Sequence, residues 1–239
     1  MLAMDDIYVA YSHQDQKARA EALAKQFHLS IDNLAANQLL ITSKGLWLRI
    51  KPFKPLQVDF SWPTWRKRLE QGKRQDLIKA CKVKPGMTVI DTTAGWGRDA
   101  AILASFGAKV TLLERNPIMQ ALLEDGIARQ TPVDQQHLSL HLIKTEAKQY
   151  LQTLSQPVDV IYLDPMHPQR QKSALVKKDL QALQKMIGPD QDVKPLFEVA
   201  MHCSCKRVIL KWPIHLPPIH PPTLSWSGKT IRYDCYIIS

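Results

Sequence analysis

This 239-residue sequence predicts an α/β fold: a mainly parallel sheet with helices on both faces, preceded by a small N-terminal subdomain. Three observations lead there. From Lys82 onward, short apolar runs alternate with helical patterns, the order in which crossover helices join parallel strands. The first of those runs, Val89 to Asp91, passes straight into a glycine-containing turn. The chain closes with a hairpin that turns near Ser227 and Gly228, after a connection holding Pro213, Pro217, Pro218, Pro221 and Pro222.

The elements follow in order. Ile7 to Ser12 has the pattern of a short strand, and Gln14 to Phe27 that of a helix. Leu39 to Ile50 forms a hairpin pattern with Ser43, Lys44 and Gly45 at its turn. Residues 51–61 hold Pro52 and Pro55 and suit irregular chain, so residues 1–60 are taken as the small subdomain and 61–239 as the main domain. Thr64 to Ala80 is a basic helix, interrupted near Gly72. Met87 to Asp91 and Lys109 to Leu113 are the first two strands, separated by a helix over Asp99 to Phe106 that Gly107 stops. Asn116 followed by Pro117 has the cap-then-proline order of a helix start, and that helix runs to about Arg129. Leu138, Leu140 and Leu142 alternate with polar residues as the third strand, and Glu146 to Leu154 is helical. Val158 to Leu163 is the fourth strand and Arg207 to Lys211 the fifth. Between them lie helices over Ser173 to Ile187 and Val193 to His202. With the closing hairpin, the sheet has seven strands.

Composition narrows the class. Apolar residues make up 45% and charged residues 23%, which fits a globular chain rather than a disordered one. No run approaches the roughly 18 apolar residues of a membrane span, and the first twelve residues carry Asp5 and Asp6 instead of a basic signal-peptide start. Four cysteines are too few for a disulfide scaffold, and Cys203-x-Cys205 lacks a second pair for zinc. A cytoplasmic enzyme without metal and without membrane association is expected.

The net charge of +10 is unevenly placed. Residues 44–84 hold 12 basic and 3 acidic residues, so this stretch carries almost all of the excess. Trp47, Phe53, Phe60, Trp62 and Trp65 lie among those charges. Basic groups interleaved with flat rings suit a nucleic acid, with phosphates to pair and bases to stack, although a solvated basic face would have the same composition.

The turn after the first strand reads Asp91-Thr-Thr-Ala-Gly-Trp-Gly-Arg-Asp99. Gly95 and Gly97 let the backbone pass close beneath a ligand. A pyrophosphate is disfavoured, because Asp91 and Asp99 crowd the turn with negative charge. A cation fits better, and S-adenosylmethionine (SAM) carries a sulfonium and an ammonium and no phosphate. Asp91 then serves the amino-acid end of the cofactor, with Arg98 and Asp99 at its rim. Glu114, ending the second strand, offers a carboxylate to two ribose hydroxyls. Thr145-Glu146-Ala147 follows the third strand, where the acidic side chain can accept from the adenine amine.

The second motif, Leu163-Asp-Pro-Met-His-Pro-Gln-Arg170, ends the fourth strand at the edge where open α/β sheets bind ligands. Its prolines cannot donate hydrogen bonds, so the loop offers acceptors. The Asp164 carboxylate and the Pro165 carbonyl suit the N–H bonds of a substrate amine, whose lone pair must point at the methyl group. The segment resembles the Asp/Asn-Pro-Pro-aromatic motif of amino-methyltransferases acting on nucleobases. Arg170, Lys172, Lys177 and Lys178, just beyond it, suit phosphates flanking a target base.

Taken together, Asp91-x-Thr-Ala-Gly-x-Gly-Arg-Asp-Ala100, Leu113-Glu-Arg-Asn-Pro117, Tyr162-Leu-Asp-Pro-Met166 and Lys172-Ser-Ala-Leu-Val-Lys-Lys178 resemble the RsmJ family, from about Val58 to the terminal hairpin. Members are ribosomal RNA methyltransferases that modify the N2 of a guanosine in 16S RNA. The resemblance implies a class I Rossmann-like methyltransferase fold. It implies SAM contacts at Arg98, Asp99, Glu114, Arg115 and Asp164, and 16S RNA or the small ribosomal subunit as partner. The family's contact after the third strand falls at Glu146 and Ala147, where small polar residues are usual. Two further positions depart from its pattern: His167 stands where Phe or Tyr is usual, and Trp212 follows Lys211 where Arg is expected. Asp164, Pro165 and His167 are the candidate catalytic residues. Two other readings remain at this point, a nicotinamide-dependent oxidoreductase and a non-catalytic RNA-binding protein with a vestigial fold.

Overall fold

The computed structural model describes residues 6–70, 75–167, 188 and 190–238. The helix expected over Ser173 to Ile187 and the basic residues Arg170, Lys172, Lys177 and Lys178 lie outside the described residues, as does the break expected near Gly72. The chain divides into two compact units.

The first unit takes in the described parts of residues 1–59, 116–129 and 166–190. It therefore includes a helix that a division at residue 60 assigns to the main domain. Its strands are β1 (Tyr8–Tyr11), β2 (Asn37–Thr42) and β3 (Gly45–Ile50), in the order β1-β2-β3. β1 runs parallel to β2, and β2 pairs with β3 as the expected hairpin. Helices α1 (Lys17–Phe27) and, out of numerical order, α5 (Pro117–Ala128) belong here too. Asn116 caps α5 as its sequence order predicts, accepting the backbone N–H groups of Ile118 and Met119.

One buried carboxylate ties this unit together. Asp125 of α5 accepts from the Leu46 N–H at 3.0 Å, from Arg19 at 2.7 Å and from Arg129 at 2.8 Å. Arg129 also donates to the Val58 carbonyl. Gly45 has a φ of +106°, and a Cβ there would sit 2.7 Å from Arg129 and Asp125 atoms. Glycine is required at this turn for both reasons.

The second unit holds a seven-stranded sheet. Its strands are β4 (Thr88–Asp91), β5 (Lys109–Glu114), β6 (Leu140–Lys144), β7 (Val158–Leu163), β8 (Cys205–Pro213), β9 (Leu224–Ser227) and β10 (Ile231–Ile237). They lie in the order β6-β5-β4-β7-β8-β10-β9. The first five are mutually parallel, and β10 runs antiparallel to β8 and to β9. This is the seven-stranded, mainly parallel sheet with a C-terminal antiparallel hairpin that the sequence predicts. The chain reverses direction along the sheet at β4, the kind of switch point where open α/β sheets take ligands.

Strand parity sorts the side chains. Ile90, Ile161, Leu163, Val208 and Leu210 pack with Ala147 and Leu151 of α7 (Ala147–Gln152) and with Leu196, Phe197 and Ala200 of α8 (Val193–Met201). Residues of opposite parity, among them Asp91, Tyr162 and Lys211, point to the other face. There α3 (Asp76–Cys81) meets β8 and β10, and α4 (Arg98–Ser105) meets β5 and β6. The basic helix expected over Thr64 to Ala80 is described as two pieces, α2 (Trp62–Glu70) and α3.

A short helix unforeseen in the sequence, α6 (Pro132–His137), precedes β6. Thr131 and Asp134 form a reciprocal capping box at its start, and Asp134 also accepts from the Trp62 N–H at 2.6 Å. The Trp62 ring stacks on His137 with centroids 4.1 Å apart. Phe60 and Trp65 are buried in the core, so these two rings are not available for base stacking as composition suggested.

Candidate active site

The site builds up from the C-terminal ends of β4, β5, β7 and β8. β4 ends in Asp91, which is 1% exposed. Its Oδ1 accepts the Thr93 N–H at 3.1 Å, while Thr92 donates its N–H and hydroxyl to the Tyr162 carbonyl on the neighbouring strand. The turn that follows needs its glycines, for Gly95 has a φ of +51° and Gly97 of +67°. Gly97 stands at the N-cap of α4, which places exposed Arg98 and then Asp99 in its first turn.

Glu114 ends β5 and is buried. Its Oε2 accepts the Gly95 N–H at 3.1 Å, which fixes carboxylate and turn to one another. Next to it, exposed Arg115 pairs with Asp192 at 2.7 Å and with Glu146 at 3.6 Å. The Glu146 side chain caps α7 by accepting the Lys148 N–H, and Ala147 is buried at the first position of that helix. Glu146 thus has a structural task in addition to any cofactor contact.

Asp164 follows β7. Its N–H donates to the Thr93 hydroxyl at 2.7 Å, joining the two loops. Pro165 behind it is buried. Met166 and His167 fall in the first unit, where Met166 and Asp190 exchange two hydrogen bonds, and His167 is half-buried.

Two residues outside the candidate set complete the site. Lys211, on β8, donates to Asp164 Oδ2 at 2.7 Å and to Asp99 Oδ2 at 2.8 Å. The Tyr162 hydroxyl donates to the same Asp99 oxygen at 2.5 Å. The sequence did contain a signal for the lysine: one charged residue closes an apolar strand beside another that ends in Asp. Register supplies the rest, since Leu163 pairs with Leu210 and the next residues are Asp164 and Lys211.

Two carboxylates, Asp99 and Asp164, thus share one ammonium, while Asp91 lies within reach of its charge only, and their protonation differs accordingly. Burial pushes Asp91 up to about 8, the Asp99 and Asp164 charges add to this, and the Thr93 amide offsets only part of it. Burial also opposes charge on Asp99, but the Lys211 ammonium and the Tyr162 hydroxyl outweigh it and hold the group below the usual carboxylate range. Lys211 is raised despite its burial, because Asp164 and Asp99 face it. Burial, followed by the Asp99 and Asp164 charges, keeps the Tyr162 hydroxyl protonated as a donor.

An acidic pocket beneath a glycine turn repels a pyrophosphate and favours a cation. The carboxylate of Glu114, fixed at the rim of that turn, suits a ribose diol. The chemistry of these residues therefore fits SAM: Asp91 could hold its charged end and Glu114 its ribose, with Arg98, Asp99, Arg115, Glu146, Ala147 and Asp164 as the other residues that could line it. Among the described residues no group of three His, Cys, Asp or Glu side chains is placed to hold a metal ion, and no helix is long and apolar enough to cross a membrane.

Known proteins share this architecture and sequence. The family model for SAM-dependent methyltransferases matches residues 22–238. The ribosomal RNA small subunit methyltransferase J of Legionella pneumophila strain Lens is 47% identical, over 96% of this chain and 95% of its own. The Coxiella burnetii (strain Dugway) protein of the same name is 39% identical, over 98% of both chains. A crystal structure of a SAM-dependent methyltransferase from Neisseria gonorrhoeae superposes with a TM-score of 0.71 at 27% identity, covering 96% of this chain and 95% of that one. Neither the oxidoreductase nor the vestigial-fold reading finds support in these relatives. With its acidic glycine turn and its Asp-Pro loop on the methyltransferase sheet, the chain belongs to the ribosomal RNA small subunit methyltransferase J family of SAM-dependent methyltransferases.

Proposed function

We propose that this protein methylates the exocyclic N2 of a guanosine in 16S ribosomal RNA, free or within the small subunit, in the cytoplasm. The observation that carries the reading is the placement of Asp164 and Pro165 at the end of β7, joined through Thr93 to the glycine turn. When bound, SAM supplies an electrophilic methyl group on a sulfonium. The chain's own residues have four tasks around it.

Residues 61–239 carry the reaction, with residues 1–60 as an accessory subdomain. Asp91 and Glu114 hold the cofactor's charged end and its ribose, with Gly95 and Gly97 giving the backbone its close approach. Asp164 and the Pro165 carbonyl accept the N–H bonds of the target amine and orient its lone pair. Positioning and exclusion of water matter more here than strong base catalysis. The guanine must leave its stack to reach the pocket, and His167 offers it a flat face where the family usually has a larger ring. The exposed basic groups Arg66 and Lys67 on α2 supply phosphate contacts.

The test is transfer of tritium from labelled SAM to 16S RNA and to small subunits from cells lacking the modification. Incorporation that maps to guanine N2 supports the reading. Transfer to another base or atom, or to protein alone, overturns it.

A further inference from the structure

We propose that Lys211 is a positioning residue for methyl transfer, whose ammonium clamps Asp164 to Asp99 and keeps Asp164 an ionised hydrogen-bond acceptor. The assignment rests on the methyltransferase reading above and concerns a residue to which that reading gives no task.

The geometry is a three-element junction. Lys211 closes the apolar part of β8, Asp164 opens the loop after β7, and Asp99 lies in the first turn of α4. One ammonium reaches both carboxylates, at 2.7 and 2.8 Å. It is only 21% exposed, so water screens the contacts weakly. The Thr93 hydroxyl bonded to the Asp164 N–H makes a second tie between the same two loops. The loop that carries the Asp164 acceptor and the helix that begins at the glycine turn are therefore held in one register by side chains.

The charges say what the clamp does chemically. Around Lys211 stand Asp99 on α4, Asp164 from the loop after β7 and Tyr233 on β10; Asp91 on β4 feels its charge, Tyr162 donates to Asp99, and the Cys81 thiol on α3 feels the charge of Asp99. Three of these are carboxylic acids, and Lys211 is the cation that Asp99 and Asp164 share. An Asp164 held by an ammonium is a weak base and a good acceptor. It can orient an N–H bond without removing the proton early. The amine nitrogen then forms its bond to the methyl carbon while the carbon–sulfur electron pair returns to sulfur, and the surplus proton on nitrogen passes to water.

Lys211→Met and Lys211→Arg test this, read by methyl transfer to 16S RNA over pH 5.5–8.5 and by 13C NMR titration of aspartate carboxyls. With Met, kcat at neutral pH is expected to fall by about 10²-fold, the scale of a misplaced catalytic contact. KM for RNA stays within about threefold, and the acid limb of kcat moves up by about one unit or more as an unpaired carboxylate gains a proton. With Arg, which keeps the charge, the acid limb stays at its wild-type position. A Met variant with the wild-type profile, or an Arg variant that shifts as Met does, overturns the proposal. Should Met fail to fold, the Arg profile still decides. Should wild-type protein fail to methylate 16S RNA, the functional reading fails, yet the NMR titration still tests the clamp. It predicts that no additional aspartate titrates between pH 5.5 and 7.5 in the wild type compared with Lys211→Arg, and that one does in Lys211→Met. Identical titrations in all three proteins overturn it.

Discussion

Glu114 accepts the backbone N–H of Gly95 at 3.1 Å, so the carboxylate at the end of β5 and the glycine turn after β4 form one preorganised edge. Glu114→Ala removes the proposed diol acceptor and leaves the Gly95 amide without this partner. SAM binding is expected to weaken by about 1–3 kcal/mol, the scale of lost hydrogen bonds to a charged group. Titration calorimetry checks this, and an unchanged affinity would rule out the ribose role.

Asp91 gives a second expectation through its proton. Burial pushes its carboxyl up to about 8. A cationic ligand favours the ionised form, so binding at pH 7 expels a proton and affinity rises as pH climbs toward 8. The limit is about tenfold per pH unit for one proton. Binding enthalpies measured in buffers of different ionisation heat should reveal that proton, and Asp91→Asn should abolish it.

The sequence made the sheet legible because its strands are short, strongly apolar and bounded by glycine, proline or a terminal acid. The clamp was harder to see. Lys211 could be noted as the residue before Trp212, but its partners lie 47 and 112 residues away. Only the parallel register of β7 and β8 brings it to Asp164. Helix α6 went unread although Thr131, Pro132 and Asp134 carry its start signal, because it is six residues long and lacks an apolar period. Phe60 and Trp65 misled in the other direction, since composition does not tell an aromatic anchored in the core from one offered to a base.

The basic face offers a third expectation. Arg66 and Lys67 are exposed on α2, where Arg66 makes an exposed pair with Glu70 at 3.3 Å. Replacing both by Gln should leave the fold intact and flatten the log–log salt dependence of RNA binding by about 1.5–2 units if each contacts one phosphate. An unaltered slope would make them a solvated face.

His167 separates two roles by substitution. If its ring stacks on the flipped base, His167→Phe keeps activity within a few fold, while His167→Ala loses about 1–3 kcal/mol of stacking. If it accepts a proton, Phe is as damaging as Ala. Methyl-transfer rates of both variants from pH 5.5 to 8.5 distinguish these outcomes.

The most direct measurement is a nucleotide-resolution map of methylated guanosines in 16S RNA from a strain deleted for this gene. The strain is complemented with either the wild-type protein or Asp164→Ala. The account predicts one N2-methylguanosine that disappears on deletion and returns with the wild type. It should stay about 10²-fold underproduced in initial rate with Asp164→Ala, as for a lost positioned group. A map unchanged by the deletion, or full restoration by Asp164→Ala at wild-type rate, would contradict it.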